Sequence, residues 1–501
     1  MRKRGGLSAP GPTILLAGAL AAPGSLAGLQ TPSPRGQTAV PPAGPELVLE
    51  PCRISSTDPP ARCGRYPVFE NRVGRTGRIL ALRVVVLPAL GPDRRPDPVF
   101  VLAGGPGQGA AELAPAIGEI LPIGLRRHRD LVLVDQRGTG DSHPLRCQPE
   151  SVEKILEALE LRFDPSRLRA CRERLDADPA FYTTPVAADD LDDIRRALGY
   201  ERINLWGGSY GSRVALVYLR RHPAHVRAIV LRGVVPTYYE LPLYFARDAE
   251  VALDHVISAC AAEAACHRSF PYLRTELATV LHRLEQQPAS IQTRDPGGGG
   301  TVPLTITRDM FAGGIRLLLY GAPTSRFLPA AMRSALGGDF GPWLRAVLPP
   351  VRALARQISL GTFLSVACTE DVSPIDDEDV RRETGGTFLG SAPVENLRRA
   401  CAAWPRGALP HAFFAPVLSD VPALIISGAD DPVTPPRWGK LVARRLPRSL
   451  HLVLPRTGHF PAAPGCTADL ALRFLEAGTS DGLDASCVEA IARPLFFVPG
   501  R

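Results

Sequence analysis

A serine flanked by glycines stands between two apolar runs near the middle of the chain. The stretch "INLWGGSYGSRVAL", residues 203–216, reads as a short buried strand, a tight turn and the start of a helix. Gly207, Ser209 and Gly211 give the pattern G-x-S-x-G, which is typical of a turn that holds a nucleophilic serine at its apex. The alternative is an ordinary turn serine. We predict that Ser209 is the nucleophile of covalent catalysis.

A serine hydroxyl is inert at neutral pH unless a base removes its proton. His459, in "PRTGHF", follows the last apolar strand, where a loop can deliver it to the edge of a sheet. His451 begins that strand and His411 lies in a region without sheet-like pattern, so both fit the role less well. We predict that His459 accepts the Ser209 proton and later returns it to the leaving group.

The base needs an acid that fixes its tautomer and stabilises its charged form. "IISGADDPVTPP" offers Asp430 and Asp431 after an apolar strand, and a proline-rich turn follows them. We favour Asp431 because of its spacing from Gly428, which leaves Asp430 as a turn-stabilising aspartate.

Backbone N–H groups must bind the oxyanion of the tetrahedral intermediate. Tyr210, directly after the nucleophile, supplies one candidate donor. The loop "LAGGPGQG", residues 102–109, supplies the other, and Pro106 has no N–H to donate. Gly104 or Gly105 is therefore the second predicted donor.

Strand-like and helix-like segments alternate on both sides of these residues. Apolar strands are predicted at 78–88, 97–104, 129–136, 203–206 and 226–235, and two more precede Asp431 and His459. This rhythm predicts an α/β fold with a mostly parallel sheet covered by helices on both faces. Between about 240 and 415 the spacing becomes helical. We predict a core at 45–239 and 416–501, divided by a helical insertion at 240–415.

The N-terminus has the features of a secretory signal peptide. "MRKR" precedes an apolar stretch of about ten residues, which is shorter than a bilayer requires, and a small-residue end. We predict a signal peptide at 1–27 and a linker rich in proline and glycine at 28–44, the alternative being a disordered tail. We expect export to the periplasm or the medium and no stable insertion into a membrane.

Ten cysteines agree with an oxidising compartment. Their number is even, and none forms the close C-x-x-C pair of a metal or redox site. The simplest connectivity joins neighbours in the chain, and ten free thiols in a cytoplasmic protein are the alternative. The predicted disulfides are 52–63, 147–171, 260–266, 368–401 and 466–487.

Charge gives little information about partners. The chain has 58 Lys and Arg against 50 Asp and Glu, a formal net charge of +8, and these charges are interspersed. Without basic runs, we predict no nucleic-acid partner. The sequence leaves the oligomeric state open.

Several motifs occur together and in order: "GGPG" at 104–107, "DQRGTGDS" at 135–142, "GGSYG" at 207–211, then "GADDPVTP" and "TGHF". In this combination the chain resembles the α/β-hydrolase family of prolyl aminopeptidases and secreted tripeptidyl aminopeptidases. The resemblance implies an α/β-hydrolase fold whose insertion is a helical cap, with no cofactor and no metal. It implies catalytic roles for Ser209, Asp431 and His459, and oxyanion roles for Gly105 and Tyr210.

The resulting hypothesis is an exported serine hydrolase, an aminopeptidase of tripeptidyl or prolyl type, acting on peptides. A carboxyl-ester hydrolase with the same triad is the alternative, and a catalytically silent binding protein is a third possibility. An aminopeptidase must bind a cationic amine, and "SVACTEDVSP" offers Glu370 and Asp371 after an apolar run. We expect Glu370 to bind the substrate amine, unless these residues only begin a solvated acidic run.

Overall fold

The computed structural model describes residues 45–54, 61–147, 151–294, 300–459 and 465–499. The predicted signal peptide at 1–27 and the linker at 28–44 lie outside these residues.

The strands form one large sheet and one hairpin. They are β1 (Glu50–Cys52), β2 (Ala61–Asn71), β3 (Thr76–Leu87), β4 (Val99–Leu102), β5 (Leu131–Val134), β6 (Ile203–Gly208), β7 (Val226–Arg232), β8 (Ala289–Arg294), β9 (Thr301–Ile306), β10 (Ala423–Gly428) and β11 (Ser449–Leu454). The nine-stranded sheet has the order β1-β2-β3-β5-β4-β6-β7-β10-β11, and β8 pairs with β9.

Six strands, from β5 to β11 in that order, are parallel to one another, whereas β1, β2 and β3 extend one side of the sheet with antiparallel pairing, β3 against β5. The parallel strands β4, β5 and β10 are buried along their whole length. Continuous apolar runs are what strands covered on both faces require, which is why the sequence predicted these strands correctly.

Helices cover both faces of the sheet. They are α1 (Ile117–Ile120), α2 (Val152–Glu157), α3 (Pro165–Arg174), α4 (Thr184–Ala197), α5 (Tyr210–Arg221), α6 (Phe245–Ala262), α7 (Ala264–Ser269), α8 (Leu273–Gln286), α9 (Arg308–Leu318), α10 (Ala322–Ser325), α11 (Leu328–Leu336), α12 (Gly341–Gln357), α13 (Leu360–Val366), α14 (Asp377–Thr384), α15 (Ala392–Cys401), α16 (Pro436–Ala443) and α17 (Cys466–Ala477).

Successive residues of a strand point to opposite faces, so one strand serves two cores. Phe100 of β4 belongs to the buried cluster that contains residues of α4 and α5, such as Leu191 and Val214. Its neighbour Val101 belongs to the cluster on the other face, which contains Phe474 of α17. The sheet is therefore enclosed between two helical layers, as predicted.

The segment between β7 and β10, which we call the insertion, contains α6 to α15. The predicted helical character is confirmed for most of it, and Phe311 and Trp343 are fully buried in its core. The hairpin of β8 and β9 is a departure from that prediction, because alternating exposed and buried residues form an antiparallel pair there. None of the described helices combines the length and apolar character that crossing a bilayer demands.

All five predicted disulfides are present. They join Cys52 to Cys63, Cys147 to Cys171, Cys260 to Cys266, Cys368 to Cys401, and Cys466 to Cys487. Their Cα–Cα distances lie between 5.2 and 5.8 Å, within the range that a disulfide spans. No cysteine is left free.

Candidate active site

Ser209 occupies the turn between β6 and α5. Its backbone has φ +52° and ψ −128°, a conformation that residues with a side chain seldom adopt. The turn is tight because the helix passes close to β4: a Cβ on Gly211 would lie 2.2 Å from the carbonyl oxygen of Leu102. The local sequence thus produces the strained turn that the G-x-S-x-G pattern predicted.

His459 lies in the loop after β11 and reaches the serine. Its Nε2 is 3.0 Å from Ser209 Oγ. The insertion helps to hold this histidine, since the His459 backbone N–H donates to the Tyr320 carbonyl at 2.8 Å. The Tyr320 ring also packs edge-on against the imidazole, with 5.0 Å between ring centroids.

Asp431 lies in the loop after β10 and binds the other side of the imidazole. The distances from His459 Nδ1 to its two carboxylate oxygens are 3.0 and 2.9 Å. The backbone N–H groups of Val433 and Thr434 donate to Oδ1, each at 2.8 Å, and the Thr434 hydroxyl donates to Oδ2 at 2.7 Å. The carboxylate is therefore fixed from four directions.

The electrostatic environment keeps Asp431 ionised. Burial by itself raises the pKa of this carboxyl group, because it removes water from the charged form. The charge of His459 and hydrogen bonds from His459 and Thr434 outweigh that effect, so the pKa of Asp431 lies below its usual value. An ionised acid beside the imidazole stabilises the imidazolium that forms during proton transfer.

The residues considered as alternatives for the acid and the base have other partners or positions. Asp430 forms an ion pair with Arg493, and His255 Nδ1 lies 3.0 Å from its Oδ1. His451 contacts the hydroxyl of Ser427 at 2.9 Å. His411 is an exposed residue of the insertion. Of the residues weighed from sequence, the structure therefore brings together Ser209, His459 and Asp431.

Of the predicted oxyanion donors, Tyr210 follows Ser209 directly, and a Cβ built on Gly104 would lie 3.6 Å from the Ser209 Cβ. Tyr210 is the first residue of α5, where backbone N–H groups have no partner within the helix and point toward the preceding turn. In the loop after β4, Gly104 donates its N–H to Gln108 Oε1 at 3.3 Å. Gly105 has φ +107°, and a Cβ there would lie 2.7 Å from the Gly107 nitrogen, so only glycine fits. The Gly104 N–H is thus engaged within its own loop, and Gly105 stays the predicted second donor.

The structure does not bring Glu370 to the site in the predicted way. Its side chain is completely buried, and its two oxygens accept hydrogen bonds from the Thr184 N–H at 2.6 Å and the Thr184 hydroxyl at 2.7 Å. The Thr184 hydroxyl also contacts the Tyr210 hydroxyl at 2.8 Å. Burial raises the pKa of Glu370 to about 7. A carboxylate enclosed behind the nucleophile turn supports the turn and has no free oxygen for a substrate amine.

Two contributors were missed by sequence reasoning. The Thr434 hydroxyl binds Asp431 and lies 3.1 Å from His459 Nδ1. Its signal was local, because an aspartate commonly binds backbone and hydroxyl groups two and three residues later. Tyr320 contacts His459 from the insertion, and no local pattern connects positions so far apart in the chain.

A cavity of about 550 Å³ adjoins the loop after β4. Gly105 and Pro106 form part of its wall, and residues of the insertion such as Phe245, Tyr320 and Ile358 form another part. Cavities of this volume hold ligands the size of a few residues. This space is thus lined jointly by the core and the insertion.

One group of potential metal ligands lies within the described residues, apart from the triad. Ligand atoms of Asp192, His222 and His225 lie within 4.8 Å of one another. Arg195 Nε and the Tyr218 hydroxyl already donate to Asp192 Oδ1, at 2.7 and 2.8 Å. These contacts explain the group as a network of ion pairs and hydrogen bonds.

Comparison with known proteins gives the following similarities. A family profile described as "alpha/beta hydrolase fold" matches residues 97–463. The chain is 28% identical to Serine protease Hip1 of Mycobacterium tuberculosis over 508 residues, which covers 90% of this chain and 93% of that protein. It is 28% identical to Carboxylesterase B of the same organism, with 95% and 96% coverage. A proline iminopeptidase of Neisseria gonorrhoeae is 31% identical over 27% of this chain and 32% of its own length.

Among solved structures, that of a proline iminopeptidase of Mycobacterium smegmatis also matches this chain. It is 16% identical to this chain, with a TM-score of 0.38, and the match covers 83% of this chain and 98% of that protein.

Proposed function

The chain belongs to the α/β-hydrolase fold family, and from this premise we propose that it is an exported serine peptidase that removes residues from the N-termini of peptides. The observation that carries the proposal is the continuous hydrogen-bonded chain from Ser209 through His459 to Asp431 at the carboxyl ends of β6, β11 and β10. These groups are the nucleophile, the base and the acid of acyl transfer.

In the proposed reaction, Ser209 Oγ attacks the carbonyl carbon of the scissile amide while His459 Nε2 takes the hydroxyl proton. The negative charge moves to the carbonyl oxygen, which the N–H groups of Gly105 and Tyr210 bind. The C–N bond then breaks as His459 gives its proton to the leaving amine, and an ester to Ser209 remains. Water, deprotonated by His459, attacks this ester and releases the acid and the serine hydroxyl.

Two facts support peptides as substrates and their ends as the site of cleavage. Serine protease Hip1 is similar over 90% of this chain, and the proline iminopeptidase is similar over a shorter part. The cavity of about 550 Å³ has room for a few residues, which suits the removal of short N-terminal fragments. Glu157 and Asp164 are the acidic residues of its lining and are our candidates for contact with a substrate ammonium group, which would have to compete with Lys154 at Glu157 and with the N-terminus of α3 at Asp164.

The test uses purified protein and chromogenic amides. Aminoacyl, prolyl and tripeptidyl amides with a free N-terminus are compared with the same compounds after N-acetylation, and Ser209→Ala serves as the inactive control. We expect hydrolysis of at least one free-amine peptide amide and poor hydrolysis of its acetylated form. Equal rates on the free and acetylated forms would contradict cleavage at N-termini.

Hydrolysis of carboxyl esters is the second candidate, because Carboxylesterase B is similar over 95% of this chain. The same triad serves both reactions. Simple esters are therefore included in the panel, and activity confined to esters would replace the peptidase proposal with this one.

Export is part of the proposal. Five disulfides without a free cysteine suit an oxidising compartment. Fractionation of the natural source cells tests it: the mature protein is expected outside the cytoplasm, with a shortened N-terminus, and an unprocessed cytoplasmic protein would contradict it.

A further inference from the structure

Arg316 is a buried cation in the wall of the substrate cavity. It lies in α9 of the insertion, is 7% exposed, and lines the cavity together with Leu317 and Tyr320. A guanidinium group in such a position stays charged, because arginine does not lose its proton in proteins. Its charge must therefore be compensated by a partner.

The contacts of Arg316 leave most of its donors unused. Nη1 donates to the Tyr320 hydroxyl at 2.9 Å, and the guanidinium carbon lies 4.5 Å from the centre of the Phe245 ring. Among the described residues, no carboxylate oxygen lies within 4.0 Å of a guanidinium nitrogen of Arg316, the distance that defines an ion pair. One hydrogen bond and contacts with the Phe245 and Tyr320 rings leave four of the five N–H donors of this group without a hydrogen-bond acceptor.

Other buried arginines of the described chain do have carboxylate partners. Arg129, Arg137 and Arg213 are at most 1% exposed. Arg129 forms an ion pair with Asp97 at 3.0 Å, Arg137 with Asp190 at 2.6 Å, and Arg213 with Asp371 at 2.7 Å. Leaving a charge buried without a counterion costs several kcal/mol. Arg316 departs from this pattern at the place where a ligand can approach it.

Arg316 is also close to the predicted reaction centre. The Tyr320 ring contacts both Arg316 and His459, with its centroid 5.5 Å from the guanidinium carbon and 5.0 Å from the centroid of the His459 ring. One extended residue spans about 3.3–3.6 Å. A group bound at Arg316 is therefore only a few residues away from the scissile bond.

We propose that Arg316 binds a carboxylate of the substrate, so that the enzyme prefers peptides bearing a carboxylate near the cleavage point. The inference rests on the proposed function. A planar guanidinium group matches the two oxygens of a carboxylate, and the apolar side chains of Phe245 and Leu317 exclude water that would weaken the pair.

The cavity as a whole favours an anionic group. Six basic side chains and two acidic ones line it. Arg146 and Arg174 are exposed members of this lining, at the solvent side, whereas Arg316 is buried. An excess of one sign of charge raises the local concentration of ligands of the opposite sign.

Two sources can supply the carboxylate: an acidic side chain, or the C-terminus of a short peptide. The first arm of the experiment compares tripeptidyl chromogenic amides that differ only in Asp against Asn or Glu against Gln. The second compares short peptides with a free and an amidated C-terminus. The ratio of kcat/KM within each pair is measured, because this ratio cancels any general loss of active enzyme.

Three variants accompany the wild-type enzyme. Arg316→Gln removes the charge, Arg316→Lys keeps it, and Arg283→Gln removes a charge from an exposed position of α8 outside the cavity lining. We expect the wild type to prefer the carboxylate member of at least one pair by about 10- to 100-fold, the range of a charge-assisted hydrogen bond. Arg316→Gln should abolish the preference, Arg316→Lys should retain part of it, and Arg283→Gln should leave it unchanged.

Inhibition of the wild type gives a second measurement that needs no variant. A product peptide that carries the preferred carboxylate should inhibit more strongly than the matched product with an amide in place of that carboxylate. Equal inhibition by these two products, equal rates within both substrate pairs, or a preference that survives in Arg316→Gln overturns the inference. Hydrolysis of neutral peptides would then still support the proposed function. Hydrolysis of esters alone would instead rule out the peptidase proposal, and the carboxylate preference could still be measured on esters.

Discussion

Replacing Thr434 by valine removes one hydroxyl group from the acid end of the triad and keeps the shape of the side chain. Thr434 is fully buried, and its hydroxyl donates to Asp431 Oδ2 at 2.7 Å. The two backbone N–H groups that bind Asp431 Oδ1 are unaffected by the change. The variant therefore tests whether the hydroxyl contributes to catalysis by orienting the carboxylate.

The expected magnitude follows from the type of bond that is lost. A hydrogen bond to a charged group contributes about 1.5–3 kcal/mol, which corresponds to a loss of about 10- to 150-fold in rate. Because Asp431 keeps its remaining donors and its charge, the loss should stay well below the roughly 10⁴-fold expected when the acid itself is removed. The loss should appear in kcat, with KM nearly unchanged, since Asp431 acts through the imidazole.

The assay is steady-state hydrolysis of the best substrate of the amide and ester panel, with thermal unfolding as a check on folding. Thr434→Ser is the matched control, because it keeps the hydroxyl and loses only a methyl group. We expect the serine variant to retain most of the activity. A valine variant within threefold of the wild type, or a serine variant as slow as the valine variant, would refute the orienting role.

Three further predictions concern the acid, the buried carboxyl and a disulfide. Asp431→Asn should lower kcat about 10⁴-fold, whereas Asp430→Asn should leave it nearly unchanged, and the reverse order in the same kinetic assay would assign the acid to Asp430. Burial raises the pKa of Glu370 from its usual 4.5 to about 7. Its contribution to stability is therefore complete at pH values below 4.5 and is lost as the pH rises through 7. In the wild type, the free energy of unfolding should therefore fall between pH 5 and pH 8, and Glu370→Gln should make this fall smaller by up to about 3 kcal/mol. Urea titrations at both pH values measure the fall, and an equal fall in both proteins would contradict this prediction. Replacing Cys368 and Cys401 by serine opens a loop of 33 residues and should lower the free energy of unfolding by about 3–4 kcal/mol without reductant, and an undiminished stability would show that the disulfide does not constrain the unfolded chain.

The sequence was enough to expect that these three residues meet, because each lies in the turn or loop that follows a strand. Ser209, Asp431 and His459 come after β6, β10 and β11, whose apolar runs are readable, and parallel strands bring their carboxyl ends to one edge. The strained turn at Ser209 is likewise a local pattern of glycines. Short-range information was enough for these features.

Glu370 shows where short-range information fails. The sequence predicted a contact with the substrate amine, with an exposed acidic run as the alternative. Its partner Thr184 is 186 positions away and Arg213 is also distant in the chain, so the local sequence indicates neither contact. Whether a carboxylate is buried depends on such distant partners, because only they can offset its loss of water. The hairpin of β8 and β9 was missed for a different reason: its alternation of polar and apolar residues is weak and is embedded among helices.

The central claim is that Ser209 is a nucleophile activated by His459. It is tested most directly by reaction with a fluorophosphonate, which forms a stable adduct with an activated serine, followed by peptide mapping by mass spectrometry. We predict a single adduct on Ser209, complete loss of hydrolysis when labelling is complete, no adduct in Ser209→Ala, and very slow labelling in His459→Ala. An adduct on another residue, or full hydrolytic activity in Ser209→Ala, would contradict the account.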